Sequence, residues 1–297
     1  MTAAAPDRLR ALVARALENS DTSAANAASV AQALVAAEID GQKGHGLSRV
    51  ASYAAQARSG KVNGRAVPRL SQPRPAALVV DAADGFAFPA IDLAIERLAA
   101  LTPETGVAAA AIHHSHHFGV AGRHVERLAG HGLVALAFGN SPKAIAPWGG
   151  KAAIFGTNPI AFAAPRANAP ALVIDLSLSK VARGRIMVAA QKGEKIPAGW
   201  ALDRDGAPTT DAKAALDGAM LPLGDAKGAA LALMVEILAA ALTASHIGAE
   251  ASSFFTAEGP PPRVGQLLLA IDPGPLSGGR FAERLETLLA ALLDQPG

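Results

Sequence analysis

The chain has 297 residues, 51% of them hydrophobic and 18% charged, which supplies the core of one large domain or two modest ones. Twenty-seven Lys and Arg against 25 Asp and Glu leave a formal charge of +2, too balanced to imply a nucleic-acid surface. There is no cysteine, which excludes disulfides, thiolate zinc sites, iron–sulfur clusters and cysteine nucleophiles. With no apolar start of signal length and no uninterrupted apolar run of roughly 18 residues, the expectation is a cytoplasmic protein without a membrane span.

Apolar positions from Pro6 to Ile39 recur at three and four and predict two amphipathic helices, with Ser20-Asp21-Thr22-Ser23 supplying caps for the second. A Gly-broken turn, Asp40 to Arg49, leads to a third helix from Val50 to Arg58. Pro68, Pro73 and Pro75 predict an irregular connector before a buried strand at Ala76–Asp81. A helix at Pro89–Leu101 and a strand at Val107–Ile112 follow, the alternation of an α/β fold. Further strands are expected at Leu133–Phe138, Pro159–Ala164 and Leu172–Leu176, then a basic segment from Lys180 to Lys195. A long apolar helix at Gly224–Ala244, a strand at Gln266–Ile271 and an amphipathic helix at Gly279–Leu293 close the chain. Alanine is abundant and buries little area, so close backbone packing or burial in an oligomer is expected.

Six of the eight histidines fall between residues 113 and 131: His113, His114, His116, His117, His124 and His131. Pairing His113 with His117, or His117 with His124, suggests metal ligation, but no acidic residue follows at metalloenzyme spacing, and no metal site is expected. His45 stands between Gly44 and Gly46, four residues before Arg49. An imidazole passes a proton near neutral pH and an arginine grips a carboxylate with two parallel hydrogen bonds; an exposed turn with a surface arginine is the plainer alternative. Neither the Rossmann Gly-x-Gly-x-x-Gly fingerprint nor the Walker loop occurs, yet Gly-rich turns at His117–Gly122 and Leu223–Gly228 open helical patterns that can hold phosphate on backbone amides. Lys180, Arg183, Arg185, Lys192 and Lys195 follow a predicted buried strand, where α/β proteins place ligand-contacting loops, and so admit an anionic ligand as well as a solvated face.

Taken together, His45-Gly46 with Arg49, Ser115-His116-His117-Phe118-Gly119, Asn140-Ser141, Ala146-Pro147-Trp148-Gly149-Gly150, Gly156-Thr157-Asn158-Pro159-Ile160, Pro197-Ala198-Gly199-Trp200, Leu223–Gly228 and Met234-Val235-Glu236 resemble the malate/L-lactate dehydrogenase family. That family also holds sulfolactate, ureidoglycolate and diketogulonate dehydrogenases and piperideine-carboxylate reductases. The resemblance implies its non-Rossmann NAD(P)-binding α/β fold, a mixed sheet with N-terminal and C-terminal helical parts. The parts expected are residues 1–75 with the histidine turn, 76–250 binding NAD(P), and 251–297 returning to the first. It further implies a homodimer acting on a small-molecule substrate with NAD or NADP as cofactor. Carried residue by residue, the resemblance makes His45 or His117 the acid/base, Arg49 the clamp on the 2-carboxylate and Thr157 a substrate contact. His117, Phe118, Gly119, Val120, Ala121, Asp175, Leu176, Ser177, Asp225 and Ala226 match cofactor-contacting positions.

Where the family's cyclic-imine reductases have a serine before the histidine and an aspartate in the strand-following loop, this chain has Gly44 and Arg185. Loss of that relay, and the cations Lys143, Arg183 and Arg185, point to a 2-hydroxy/2-oxo acid pair with a second anionic group, of malate or sulfolactate type. Reduction of cyclic 2-imino acids is the alternative within the family, and nicotinamide binding without turnover the alternative outside enzymes. The basic, Pro-Gly-containing closing segment usual in the family is not found before Gly297, which bears on cofactor affinity.

Overall fold

A computed structural model describes residues 5–296. Helix α1 (Pro6–Glu18) starts on a proline, which needs no amide partner there, and carries Asp7 in its first turn and Arg15 in its last, signs matched to the helix dipole. Helix α2 (Ala24–Ile39) is capped as the sequence suggests, by Ser23 Oγ accepting from the Asn26 amide. The faces of α1 and α2 bury Leu17, Val30 and Leu34 against Tyr53 of α3 (Val50–Arg58) and against Phe86 and Phe88.

The proline-bearing connector contains a strand. Residues Arg69–Arg74 form β1, antiparallel to β2 (Ala77–Asp81), and the pairing breaks between Ser71 and Arg74, where Pro73 has no N–H for the ladder. An edge position tolerates that loss: β1 is the outermost strand of a seven-stranded sheet. After α4 (Ala87–Thr105) come β3 (Val107–Ser115), α5 (Ala121–Gly130), β4 (Val134–Gly139), β5 (Ile160–Ala164) and β6 (Leu172–Leu176). Helix α4 begins two residues before the expected Pro89, which sits in the first turn where no amide bond is lost.

The basic segment forms α6 (Arg183–Lys192). With α7 (Ala212–Asp217) and the short strands β7 (Ala201–Leu202), β8 (Pro208–Thr209) and β9 (Ala219–Met220), it encloses a separate core around Ile186, Ile196 and Met220. The long apolar helix is interrupted: α8 (Ala226–Glu236) widens into a π-helical turn, Ile237–Ala241. There β10 (Val264–Ile271) crosses so closely that a side chain at Gly265 would overlap the Ala239 carbonyl and the Thr243 hydroxyl. A short α9 (Pro273–Ser277) and α10 (Phe281–Leu293) end the described chain. No helix among the described residues is long and apolar enough to cross a membrane.

The sheet order is β1-β2-β3-β10-β4-β5-β6, with β2 and β3 parallel and the remaining neighbours antiparallel. The α4/α5 side of the sheet is lined by Ala108, Ala110, Ala135, Ala137, Ala161, Ala163 and Ala270, so the helices lie close to the strands. The opposite side packs on α8 and the π-helical turn through Phe138, Val235, Ala239 and Leu267. At the end of β3 the ladder to β10 slips: Gln266 pairs with Ile112 and Val264 with Ser115, so His113 and His114 together oppose the single Gly265. This bulge, with His114 at φ +47°, turns the strand end towards the N-terminal helices.

Candidate active site

The turn between α2 and α3 is two 3₁₀ segments, Lys43–His45 and Leu47–Arg49, laid on α2. Glu38 accepts the Leu47 amide at 3.0 Å, and a side chain at Gly46 would overlap that carboxylate. Gly46 is thus required by packing on α2, whereas a side chain at Gly44 would meet nothing within 4 Å. The Gly44 carbonyl accepts Arg49 Nε at 2.7 Å and the guanidinium lies 4.5 Å over the Phe255 ring. Arg49 Nη1 is buried with no partner, an unused donor edge of the kind a carboxylate fills.

The bulge of β3 delivers His117 to this turn. His117 Nε2 lies 3.2 Å from His45 Nδ1 with the two rings stacked at 10°, and Tyr53 Oη lies 2.5 Å from His117 Nδ1. Tyr53 is fully buried, and that burial pushes its phenol pKa upward, so the hydroxyl keeps its proton and donates to Nδ1. With Nδ1 accepting, neutral His117 carries its proton on Nε2 and donates to His45 Nδ1; the outward Nε2 of His45 then bears a hydrogen. His117 is enclosed at 8% exposure while His45 is half-buried. Burial first, then the Arg49 charge, lowers His45 to about 4, and the same causes hold His117 well below its ordinary value. Tyr53, the only tyrosine of the chain, is the residue that sequence reasoning missed; its signal was a place four residues after Arg49, one helical turn on.

A roof over His116 and His117 comes from residues 253–258. Lys61 Nζ donates to the carbonyls of Ser253, Thr256 and Glu258 at 2.7, 3.0 and 2.8 Å. Gln56 Nε2 donates to those of Phe254 and Thr256 at 2.9 and 3.0 Å. Phe254 is thereby held with its ring centroid 5.1 Å from that of His116 and 5.2 Å from that of His117.

The residues matched to cofactor contacts form one linked edge. Asp175 accepts the Gly122 amide at 2.7 Å, joining β6 to the start of α5, and Ser177 Oγ donates to the Thr157 carbonyl at 3.5 Å. The Leu223 amide donates to the Leu178 carbonyl at 2.8 Å, and Lys180 Nζ lies 3.4 Å from Asp225, bringing in the start of α8. The N-cap residues Val120 of α5 and Asp225 of α8 place no side chain on their helices, the Asp175 carboxylate takes the Gly122 amide in the first turn of α5, and Gly119 has φ +72°. Thr157 donates its amide to Ser141 Oγ at 3.0 Å, and Glu236 fixes the loops on either side. The buried Glu236 carboxylate accepts from Asn140 Nδ2 at 3.0 Å, Asn158 Nδ2 at 2.7 Å and the Gly248 amide at 2.6 Å, and the Gly248 carbonyl takes the Lys143 amide at 2.8 Å.

Arg183 and Arg185 lie on the first turn of α6. Arg183 Nη2 donates to the Leu216 carbonyl at 3.0 Å, and Arg185 lines a cavity of about 370 Å³ with Glu194, Lys195 and Trp200. Among the described residues no hydrogen bond joins either arginine to His45, Arg49 or His117. The metal pairings suggested by spacing do not form: His117 is taken by Tyr53 and His45, and His124 Nε2 by the Phe118 carbonyl at 2.7 Å.

A profile of the family described as malate/L-lactate dehydrogenase matches residues 4–297. The chain is 58% identical over 267 residues to the (2R)-3-sulfolactate dehydrogenase (NADP(+)) of Chromohalobacter salexigens, covering 90% of this chain and 80% of the relative. It is 43% identical over 286 residues to the Delta(1)-pyrroline-2-carboxylate/Delta(1)-piperideine-2-carboxylate reductase of Pseudomonas putida, covering 95% and 83%. The crystal structure of the delta1-piperideine-2-carboxylate reductase of Pseudomonas syringae superposes with a TM-score of 0.94 at 40% identity, covering all of this chain (100%) and 90% of that one.

Proposed function

Because the chain belongs to the malate/L-lactate dehydrogenase family, we propose that it is an NADP- or NAD-dependent oxidoreductase interconverting a 2-hydroxy acid and a 2-oxo acid that carries a second anionic group, of sulfolactate type. The observation that carries this reading is the buried, unpartnered Nη1 of Arg49, whose charge acts on His45, with His45 Nδ1 turned to His117. A 2-carboxylate on Arg49 sets the neighbouring carbonyl or hydroxyl against His45 Nε2. The same carboxylate offsets the guanidinium charge that helps to lower His45, and so moves the imidazole towards the range where it exchanges protons. His45, once protonated from solvent with the carboxylate in place, gives that proton to the nascent alkoxide and returns to the neutral ring, while His117, fixed by Tyr53, orients it through Nδ1.

The nicotinamide cofactor fits the edge from His117 to Ala121, Asp175 to Ser177 and Asp225 to Ala226, where the Gly119 turn and the start of α8 offer amides to a diphosphate. Bound there, it supplies or accepts the hydride at the substrate carbon. Thr157 borders the substrate, and Lys143, Arg183 and Arg185 are the cations offered to its second anionic group. The chain works as a cytoplasmic homodimer in this reading. Support comes from an apolar surface on the edge strand β6, with Val173, Ile174 and Leu176 exposed, and on α8, with Leu231, Leu233 and Met234 exposed.

The test is loss of reduced-nicotinamide absorbance, with NADPH and NADH in turn, against sulfopyruvate, oxaloacetate, pyruvate and piperideine-2-carboxylate. Fastest turnover of a dianion is expected, with the preference over pyruvate reduced in Arg185→Ala. Turnover of the cyclic imine alone would replace this reading by the reductase one.

A further inference from the structure

We propose that Asp81, His113 and His114 form a binding site for a divalent transition-metal cation at the ends of β2 and β3, outside the His45–His117 centre. Each of the three offers one ligand atom, and those atoms all lie within 4.8 Å of one another. On a regular strand His113 and His114 point to opposite faces. Here the bulge opposite Gly265 and the left-handed conformation of His114, at φ +47°, bring the two rings to a centroid distance of 4.4 Å. The parallel register sets Asp81 beside His113, and Asp81 Oδ1 already accepts from His114 Nδ1 at 2.9 Å.

Two imidazoles and a carboxylate are a ligand set for zinc, cobalt(II) or nickel(II), with metal–ligand distances of about 2.0–2.2 Å reached by small rotations of half-buried side chains, and water completing the shell. A cation there replaces the proton shared by His114 and Asp81. The nearest competing cation, Arg263, is engaged elsewhere, through Nε and Nη2 on Asp84 at 2.9 and 2.8 Å. The bulge also serves to aim His117, so the bulge alone implies no metal. What the aiming of His117 does not require is the convergence of three ligand side chains on one point.

The experiment titrates Zn²⁺ into the full-length, tag-free, chelator-stripped protein by calorimetry, and Co²⁺ by visible absorption. One equivalent per chain is expected to bind in the micromolar range, weakened about tenfold or more in His113→Ala and in Asp81→Asn, and the thermal midpoint should rise with Zn²⁺ in the parent but not in those variants. The proposal is overturned if no Zn²⁺ binds, if binding survives His113→Ala combined with His114→Ala, or if His45→Ala rather than His113→Ala abolishes it. Circular dichroism of each variant keeps a folding failure distinct from a lost site.

Discussion

His116 is a buried base with nothing to hold its proton. It is 1% exposed, neither ring nitrogen has a partner, and burial, with Lys61 and then Arg49 nearby, lowers it to about 3. His124, 4% exposed, is lowered to about 4, chiefly by burial, and His117 is also lowered well below its ordinary value. A histidine whose folded pKa is depressed is protonated first in the unfolded chain. Stability therefore falls as pH drops below the unfolded value near 6.5 and goes on falling until pH passes the folded value. At about pH 5.5 each of His45, His116 and His124 costs the native state about 1.4 kcal/mol relative to about pH 7.5, so these three cost about 4 kcal/mol, a large share of a usual folding free energy, and His117 adds in the same direction. Replacing His116 by leucine removes a titrating ring without leaving a hydrogen-bond partner behind, because it has none. Urea unfolding at the two pH values, for the parent and His116→Leu, should show the parent losing at least about 4 kcal/mol on acidification and the variant about 1.4 kcal/mol less than the parent. An equal acid loss in both proteins would refute the assignment of His116 as a buried neutral base.

Other expectations concern the reaction and its scaffold. Arg49→Lys keeps a charge but loses the two-pronged edge beside His45, and kcat/KM for the 2-oxo acid should fall by about 10²-fold, measured by steady-state kinetics. Tyr53→Phe leaves His117 Nδ1 without its donor; a fall in kcat of about tenfold or more with KM little changed is expected, and an unchanged kcat removes Tyr53 from the positioning of the two rings. Glu236→Ala frees three buried donors and should destabilise by about 3–6 kcal/mol. Glu236→Gln keeps the shape but sets an amide against one of those donors, costing about 1–3 kcal/mol in the same urea assay.

Much of the scaffold was legible because its signals are local. The apolar period of α1 and α2, the Ser23 cap, and the continuous apolar runs that became β4, β5 and β10 are each decided within a few residues. The misses are the places where a distant backbone decides. Strand β1 is proline-bearing and reads as a connector, and only its edge position beside β2 makes it a strand. The helix expected to run to Ala244 gives way at the π-helical turn under Gly265, a crossing no local period records.

The site divides along the same line, and the division explains why two histidines looked equivalent in the sequence. Both His45 and His117 sit in Gly-bearing turns, and either imidazole has the chemistry of an acid/base. What separates them is direction, and direction is set from the buried end. Tyr53 has to donate because it cannot ionise where it is; His117 has to accept at Nδ1 and so present its proton at Nε2; His45, last in the row and half-buried, is left with its hydrogen facing outward. Tyr53 and His117 are 64 residues apart and His45 and His117 are 72 apart, so the order is fixed by the packing of α3 against the bulged end of β3 and not by any spacing within a motif. On this geometry His45→Ala removes the proton donor, while His117→Ala removes only its orientation. The kcat of the first should fall further and recover partly with added imidazole, which restores a donor at the half-buried position, whereas that of the second should gain little at its enclosed site; rescue of His117→Ala but not of His45→Ala would reverse the assignment.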